Sequence, residues 1–197
     1  LPNVGFNAYG IAQLIDSVYP SDSRIGIPRL VVARAVLSSH RISGAIGRTL
    51  VQQRAAGYNH ILVHESGEIY SIEVSARKFE ILYAHDGHMV HTNHYLDSQM
   101  KQMEKAPEEL LSSRVRYFRA SRLLQQTEKH TIKSLQAIQQ DHVNIPNSIC
   151  NHNIAGLDPL DREKTINALV IDLTMREMHI AWGNPCENAY HTYHLNA

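Results

Sequence analysis

The chain has 197 residues, 43% of them hydrophobic and 19% charged, and its 19 Lys and Arg balance 19 Asp and Glu to a formal charge of zero. That composition can bury a core, which excludes wholesale disorder, and the lack of a basic excess argues against nucleic acid or an anionic membrane surface as the main partner. No apolar run approaches the roughly 18 residues of a membrane helix, and no secretory signal opens the chain, so a soluble, cytoplasmic protein of one domain over residues 1–197 is expected.

In chain order, Val4 to Val18 reads as two short strands joined by a turn at Asn7-Ala8-Tyr9-Gly10. A loop with Pro20, Ser21, Asp22 and Ser23 follows. Pro28 then stands where a first helical turn tolerates it, ahead of the apolar residues Leu30 to Leu37. Ser38, Ser39 and Ser43 offer a stop and a new cap before a second helix carrying Ile46, Leu50 and Val51. The period then changes. Asn59 to His64, Glu68 to Val74, Lys78 to Tyr83 and Met89 to Asn93 are rich in β-branched and aromatic residues. They are separated by turn signals, among them His85-Asp86-Gly87, and predict an antiparallel meander. A polar stretch, Lys101 to Glu109, predicts an exposed loop before helices over Ser113 to Gln126 and Thr131 to Gln140. Asn147 to Asp161 is irregular. Strands over Thr165 to Leu173, Glu177 to Trp182 and about Ala189 to Leu195 close the chain, and strand runs with helices grouped between them indicate an α+β fold.

Several residues could carry chemistry. His85, His88, His91 and His94 recur every three residues, a spacing that puts ligands on one face of a helix but alternates faces in a strand. They are therefore read as exposed turn and strand histidines, not a metal set, and His191 and His194 likewise. Cys150 and Cys186 have no CxxC spacing. Each is read as a structural free thiol, although His152 stands two residues from Cys150 and a catalytic thiol would need such a base. Arg114, Arg116, Arg119 and Arg122 fit a solvated helix face better than a phosphate site. His91-Thr92-Asn93-His94 differs, because these polar residues end an apolar run and can face a site. An asparagine there can donate to an oxyanion or orient a carbonyl, or it can close a turn.

Met89-Val90-His91-Thr92-Asn93-His94-Tyr95-Leu96 resembles the signature strand of the acyl-coenzyme A:6-aminopenicillanic acid acyltransferase family, also called isopenicillin N acyltransferases. Other pieces agree in order. Val4-Gly5-Phe6-Asn7 with Gly10 comes first, then Gly26-Ile27-Pro28 opening a helix with Arg34. Ser148-Ile149-Cys150 with His152 follows, then Thr165 to Leu173, and Gly183-Asn184-Pro185-Cys186 near the end. The resemblance implies an N-terminal-nucleophile hydrolase-like αββα four-layer sandwich, here incomplete at its N-terminus. Its precursor cleaves itself before a cysteine, whose thiol attacks an amide or thioester while its own α-amine acts as base.

On that resemblance Asn93 is expected to be the oxyanion donor, and Arg162 and Asp16 are expected at the substrate. Asp16 stands where many relatives carry an asparagine, and a carboxylate there repels a developing oxyanion unless it is protonated or turned away. Asn151 likewise stands where relatives often have arginine. Position 1 is leucine, and neither Cys150 nor Cys186 can offer a free α-amine, so the nucleophile is expected on a segment or second chain outside residues 1–197. The expected substrate is a small acylated amine or acyl thioester, acyl-coenzyme A included, with no cofactor, no metal, no nucleic acid and no membrane. The alternative is a non-catalytic descendant that keeps the scaffold as a binding domain.

Overall fold

The computed structural model describes residues 3–84, 86–156 and 163–195, and the chain divides into two compact units, Leu1–Leu110 and Leu111–Asn196. In the first, β1 (Gly5–Phe6), β2 (Ile11–Asp16), β3 (Tyr58–His64), β4 (Ile69–Val74) and β5 (Phe79–Tyr83) form an antiparallel sheet in sequence order, the expected meander. The turn between β1 and β2 uses Gly10 at φ 70°, a left-handed conformation that glycine adopts without Cβ strain. Asn7 ties the turn down, its Oδ1 accepting from the Ile11 N–H at 3.2 Å and its Nδ2 donating to the carbonyls of Leu37 and Ser39.

Two helices cover one face of this sheet. α1 (Arg29–Leu37) starts at Pro28, whose fixed φ of −60° suits the N-terminus and whose carbonyl accepts from Val31 and Val32. α2 (Ile42–Thr49) begins after Arg41 in extended conformation, so none of the serines supplies its cap. Val36 and Ala33 of α1 and Ala45 of α2 pack on Ile11, Leu62, Ile72, Tyr58 and Val74, the alternate residues of β2, β3 and β4 that share one pleat face. Ile11, Leu62 and Ile72 are fully buried, each worth about 1.5–3 kcal/mol of transfer free energy.

Met89 to Asn93 is not a strand. It belongs to an irregular strap, because its continuation is held by side chains in place of a ladder partner. The Leu96 and Asp97 N–H groups donate to Glu73 at 2.5 and 3.1 Å, and the Tyr95 N–H donates to Glu104 at 2.6 Å. The strap ends in α3 (Ser98–Lys101), capped by Asp97 Oδ1, which accepts from Gln99 and Met100. Tyr95 and Met100 bury themselves with Val18, and the Tyr95 hydroxyl donates to the Val74 carbonyl at 2.9 Å. Gly57 allows that approach, since a Cβ there would fall 2.6 Å from the Tyr95 oxygen and 2.5 Å from the Val74 carbonyl. The expected exposed loop over Lys101 to Glu109 is thus partly anchored: Met103 packs on this cluster, and Glu104 pairs with Pro20 as well as binding Tyr95.

In the second unit α4 (Leu111–Gln125) and α5 (Ile132–Gln139) precede an antiparallel sheet of β6 (Asn167–Asp172), β7 (Glu177–Trp182) and β8 (Tyr190–His194). Thr131 caps α5 in a reciprocal box with Ser134. α5 is bound to the sheet through Gln139, which donates to the Leu169 carbonyl at 2.8 Å and accepts from the Tyr190 hydroxyl at 2.7 Å. Arg119, read from sequence as part of a solvated face, makes a bidentate pair with Asp141 at 3.0 and 2.6 Å. Helices and antiparallel sheets together make the fold α+β, as expected. Among the described residues no helix is long and apolar enough to cross a membrane.

Candidate active site

Four strands of the first sheet each place one polar residue in a single rung: Asp16, Asn59, Glu73 and Glu80 are successive cross-strand partners. Residues in register share a face, so the rung lies opposite the helix-covered apolar face. Asn59 is fully buried, donating to Asp16 Oδ2 at 3.3 Å and accepting from the Ser71 hydroxyl at 2.7 Å. Glu73 is fully buried too, and a buried carboxylate costs several kcal/mol unless its lone pairs are filled. Here three N–H groups fill them, from Leu96, Asp97 and the His91 ring.

His91 spans the rung from the strap. Its Nε2 stands 2.8 Å from Glu73 Oε1, and its Nδ1 stands 2.6 Å from the Thr92 carbonyl and 3.2 Å from Asp16 Oδ2. Every partner is an acceptor, so both ring nitrogens carry hydrogen and the ring is an imidazolium. Burial by itself pushes its pKa down, but the hydrogen bonds and charges of Asp16 and Glu73 outweigh burial and hold it at about 9. The cation also bears on the carboxylate at position 16, because Asp16 is paired and not a bare negative charge.

The opposite face holds a second buried histidine in the other protonation state. His60 Nδ1 donates to Gln13 Oε1 at 3.1 Å, and the Gln13 amide donates to the carbonyls of Asn3 and Ala33. Burial, then the charge of Arg54, pushes His60 down to about 3, so it is neutral. The two rings shape stability in opposite senses. His91 titrates at about 6.5 unfolded and about 9 folded, so its contribution is complete below pH 6.5 and is lost as pH rises to 9. His60 titrates at about 6.5 unfolded and about 3 folded, so its contribution is complete above pH 6.5 and is lost as pH falls toward 3. Urea unfolding across pH should show maximal stability near pH 6.5, with the alkaline loss, up to ~3 kcal/mol, removed in His91→Gln. An alkaline limb unchanged by that substitution would count against the imidazolium.

Asn93 lies on the same strap. Its Nδ2 donates to the Ser17 carbonyl at 3.0 Å, next to Asp16, so the amide plane is fixed at the end of β2. The structure therefore brings two of the expected site residues, Asn93 and Asp16, to one sheet end. The third, Arg162, lies outside the described residues. His91 and His94 are buried, at 8% and 6% exposure, which corrects their reading as exposed turn and strand histidines. His85 lies outside the described residues. Sequence reasoning missed Asn59 and Glu73 as parts of the site, and placed His91 in a motif that can face a site without giving it a role there. The signal for Asn59 and Glu73 was a polar residue inside a run rich in β-branched and aromatic residues, Glu73 between Ile72 and Val74 and Asn59 beside Tyr58. Chemically, the rung and strap supply a fixed amide and a paired cation, parts that stabilise and orient charge and do not attack.

Comparison with known proteins identifies a family and a fold. The family model described as acyl-coenzyme A:6-aminopenicillanic acid acyl-transferase matches residues 3–187. Among solved structures, a variant of conjugated bile acid hydrolase from Clostridium perfringens superposes with a TM-score of 0.62 at 11% identity, covering 98% of this chain and 77% of that one. Penicillin V acylase from Agrobacterium tumefaciens gives a TM-score of 0.56 at 18% identity, covering 91% of this chain and 63% of that one. The N-terminal-nucleophile hydrolase-like fold expected from the resemblance is the fold these structures share with the chain. Comparison with curated proteins finds no match.

Proposed function

The chain belongs to the acyl-coenzyme A:6-aminopenicillanic acid acyl-transferase family, and from that premise we propose that it forms the charge-stabilising wall of an amide hydrolase or acyltransferase with an N-terminal cysteine nucleophile. The observation that carries this reading is the anchoring of Asn93 to the Ser17 carbonyl, beside an Asp16 paired with His91. Acyl transfer builds negative charge on a carbonyl oxygen, and a rigid neutral N–H donor stabilises that charge without competing as a base. On this reading neither Cys150 nor Cys186 is the nucleophile, because both are internal and have no α-amine to serve as base. The substrate class is a small acylated amine or an acyl thioester such as acyl-coenzyme A, taken as a substrate and not as a cofactor. Arg162 is proposed to hold a substrate carboxylate through its two-pronged guanidinium.

The test uses the complete, processed protein. Mixed with a phenoxyacetyl amide or an acyl thioester and quenched early, it should carry one acyl group on the N-terminal cysteine, seen by intact mass and removed by hydroxylamine, with release of the amine or thiol. A processed protein that acquires no acyl group and releases no product would instead support the non-catalytic scaffold.

A further inference from the structure

The second unit holds a cluster that the acyl-transfer site does not use. His142, Cys150, His152 and Cys186 turn their ligand atoms toward one point, all within 4.8 Å of one another. The two sulfurs are 3.6 Å apart, His152 Nε2 is 3.6 Å from Cys150 Sγ and 3.2 Å from Cys186 Sγ, and the two histidine Nε2 atoms are 3.0 Å apart. A tetrahedral zinc ion, with Zn–S near 2.3 Å and Zn–N near 2.0–2.1 Å, requires separations of about 3.8 Å between sulfurs, about 3.6 Å between sulfur and nitrogen and about 3.3 Å between nitrogens. These four separations lie within about 0.4 Å of that geometry, and the two from His142 to the sulfurs are within 4.8 Å. A disulfide, by contrast, needs sulfurs about 2.05 Å apart.

The surroundings suit a cation as well. His152 turns its Nδ1 toward Glu187 Oε1 at 3.5 Å, the arrangement by which an acidic partner holds a metal-binding histidine in the tautomer whose Nε2 lone pair faces the ion. Asn184, buried, donates to the Asn151 carbonyl at 2.7 Å and toward Cys150 Sγ at 3.5 Å, which secures the turn carrying Cys186 beside Cys150 and directs an N–H at the sulfur. The Cys150 N–H donates to the Asp141 carbonyl at 2.9 Å, and Asp141 is clamped by Arg119, so the segment carrying His142 and Cys150 is held from both ends.

We propose that His142, Cys150, His152 and Cys186 form a structural zinc site that fastens the turn between β7 and β8 to the segment following α5. Four protein ligands close the tetrahedron, which marks a structural and not a catalytic ion. Binding converts both thiols to thiolates and releases two protons, with no change of oxidation state, so uptake weakens as pH falls.

The test starts from untagged complete protein, purified without chelator and dialysed, with metal counted by plasma mass spectrometry. About one zinc per chain is expected. Replacement by Co²⁺ should give the intense visible bands of a tetrahedral site together with a thiolate-to-cobalt charge-transfer band in the near ultraviolet. Cys186→Ser should weaken that band, and Glu187→Gln, a change at an exposed side chain, should lower zinc affinity by about 10–100-fold. Alkylation of exposed Cys186 should be slow in the zinc-loaded protein and fast after chelation. The proposal is overturned if the dialysed protein retains no zinc and both thiols alkylate freely, if cobalt binds without a thiolate band, or if the mass shows a Cys150–Cys186 disulfide. The zinc count and the cobalt spectrum are both read on the unmutated protein, so they decide the matter even where a variant fails to fold.

Discussion

Replacing Asn93 by alanine in the complete, processed protein should lower turnover by roughly 10²–10³-fold, the usual cost of one lost oxyanion donor. The expectation follows from how the side chain is held. Its amide donates to the Ser17 carbonyl at 3.0 Å, which fixes its plane, and the strap that carries it is pinned on both sides, by His91 before it and by the Leu96 and Asp97 N–H groups after it. A donor fixed before the reaction needs no reorganisation as charge develops. The structural alternative is that the Ser17 bond only closes the junction between β2 and the strap. Losing one such bond would cost about 1 kcal/mol of stability and leave turnover per folded molecule unchanged. Steady-state kinetics normalised to folded protein, with urea unfolding of the same samples, separate the two. A drop in stability with unaltered turnover would remove Asn93 from the site.

The second large effect belongs to Glu73. Glu73→Gln should destabilise the protein by about 3–5 kcal/mol, the cost of breaking a buried charge pair from one side. The carboxylate is fully buried and accepts from three N–H groups, whereas an amide in its place turns a donor toward at least one of them. His91 loses one of the two carboxylates that hold its proton, so the decline in stability between pH 6.5 and 9 should also flatten. Urea unfolding of Glu73→Gln, His91→Gln and the double variant measures the coupling directly, and the double variant should be less destabilised than the sum of the singles. Additive losses would mean that the two residues act separately. Because Asn93 shares the strap, surviving folded Glu73→Gln should also turn over more slowly.

Much of the fold was legible in local pattern. Runs rich in β-branched and aromatic residues between turn signals located β3 to β5, Pro28 located the start of α1, and the stretch from Thr131 to Gln140 located α5, because each depends on residues near in sequence. The motif around Asn93 likewise pointed to the family and to acyl transfer. Met89 to Asn93 was misread for the opposite reason. Its β-branched and apolar residues satisfy strand propensity, but the partners that hold it come from elsewhere in the chain: Glu73 for His91, the Ser17 carbonyl for Asn93, and Glu73 and Glu104 for the residues that follow. Protonation was also beyond sequence. His60 and His91 are the same side chain, yet one is neutral against the Gln13 carbonyl oxygen and the other is a cation between two carboxylates. Nor does any spacing rule bring Cys186 to Cys150 and His152, since the turn after β7 delivers it. The sequence by itself determined which segments pair and which family the chain resembles. Only the tertiary structure decided which polar groups meet in the interior, because long-range contacts set the charge state of a buried group and the position of a ligand.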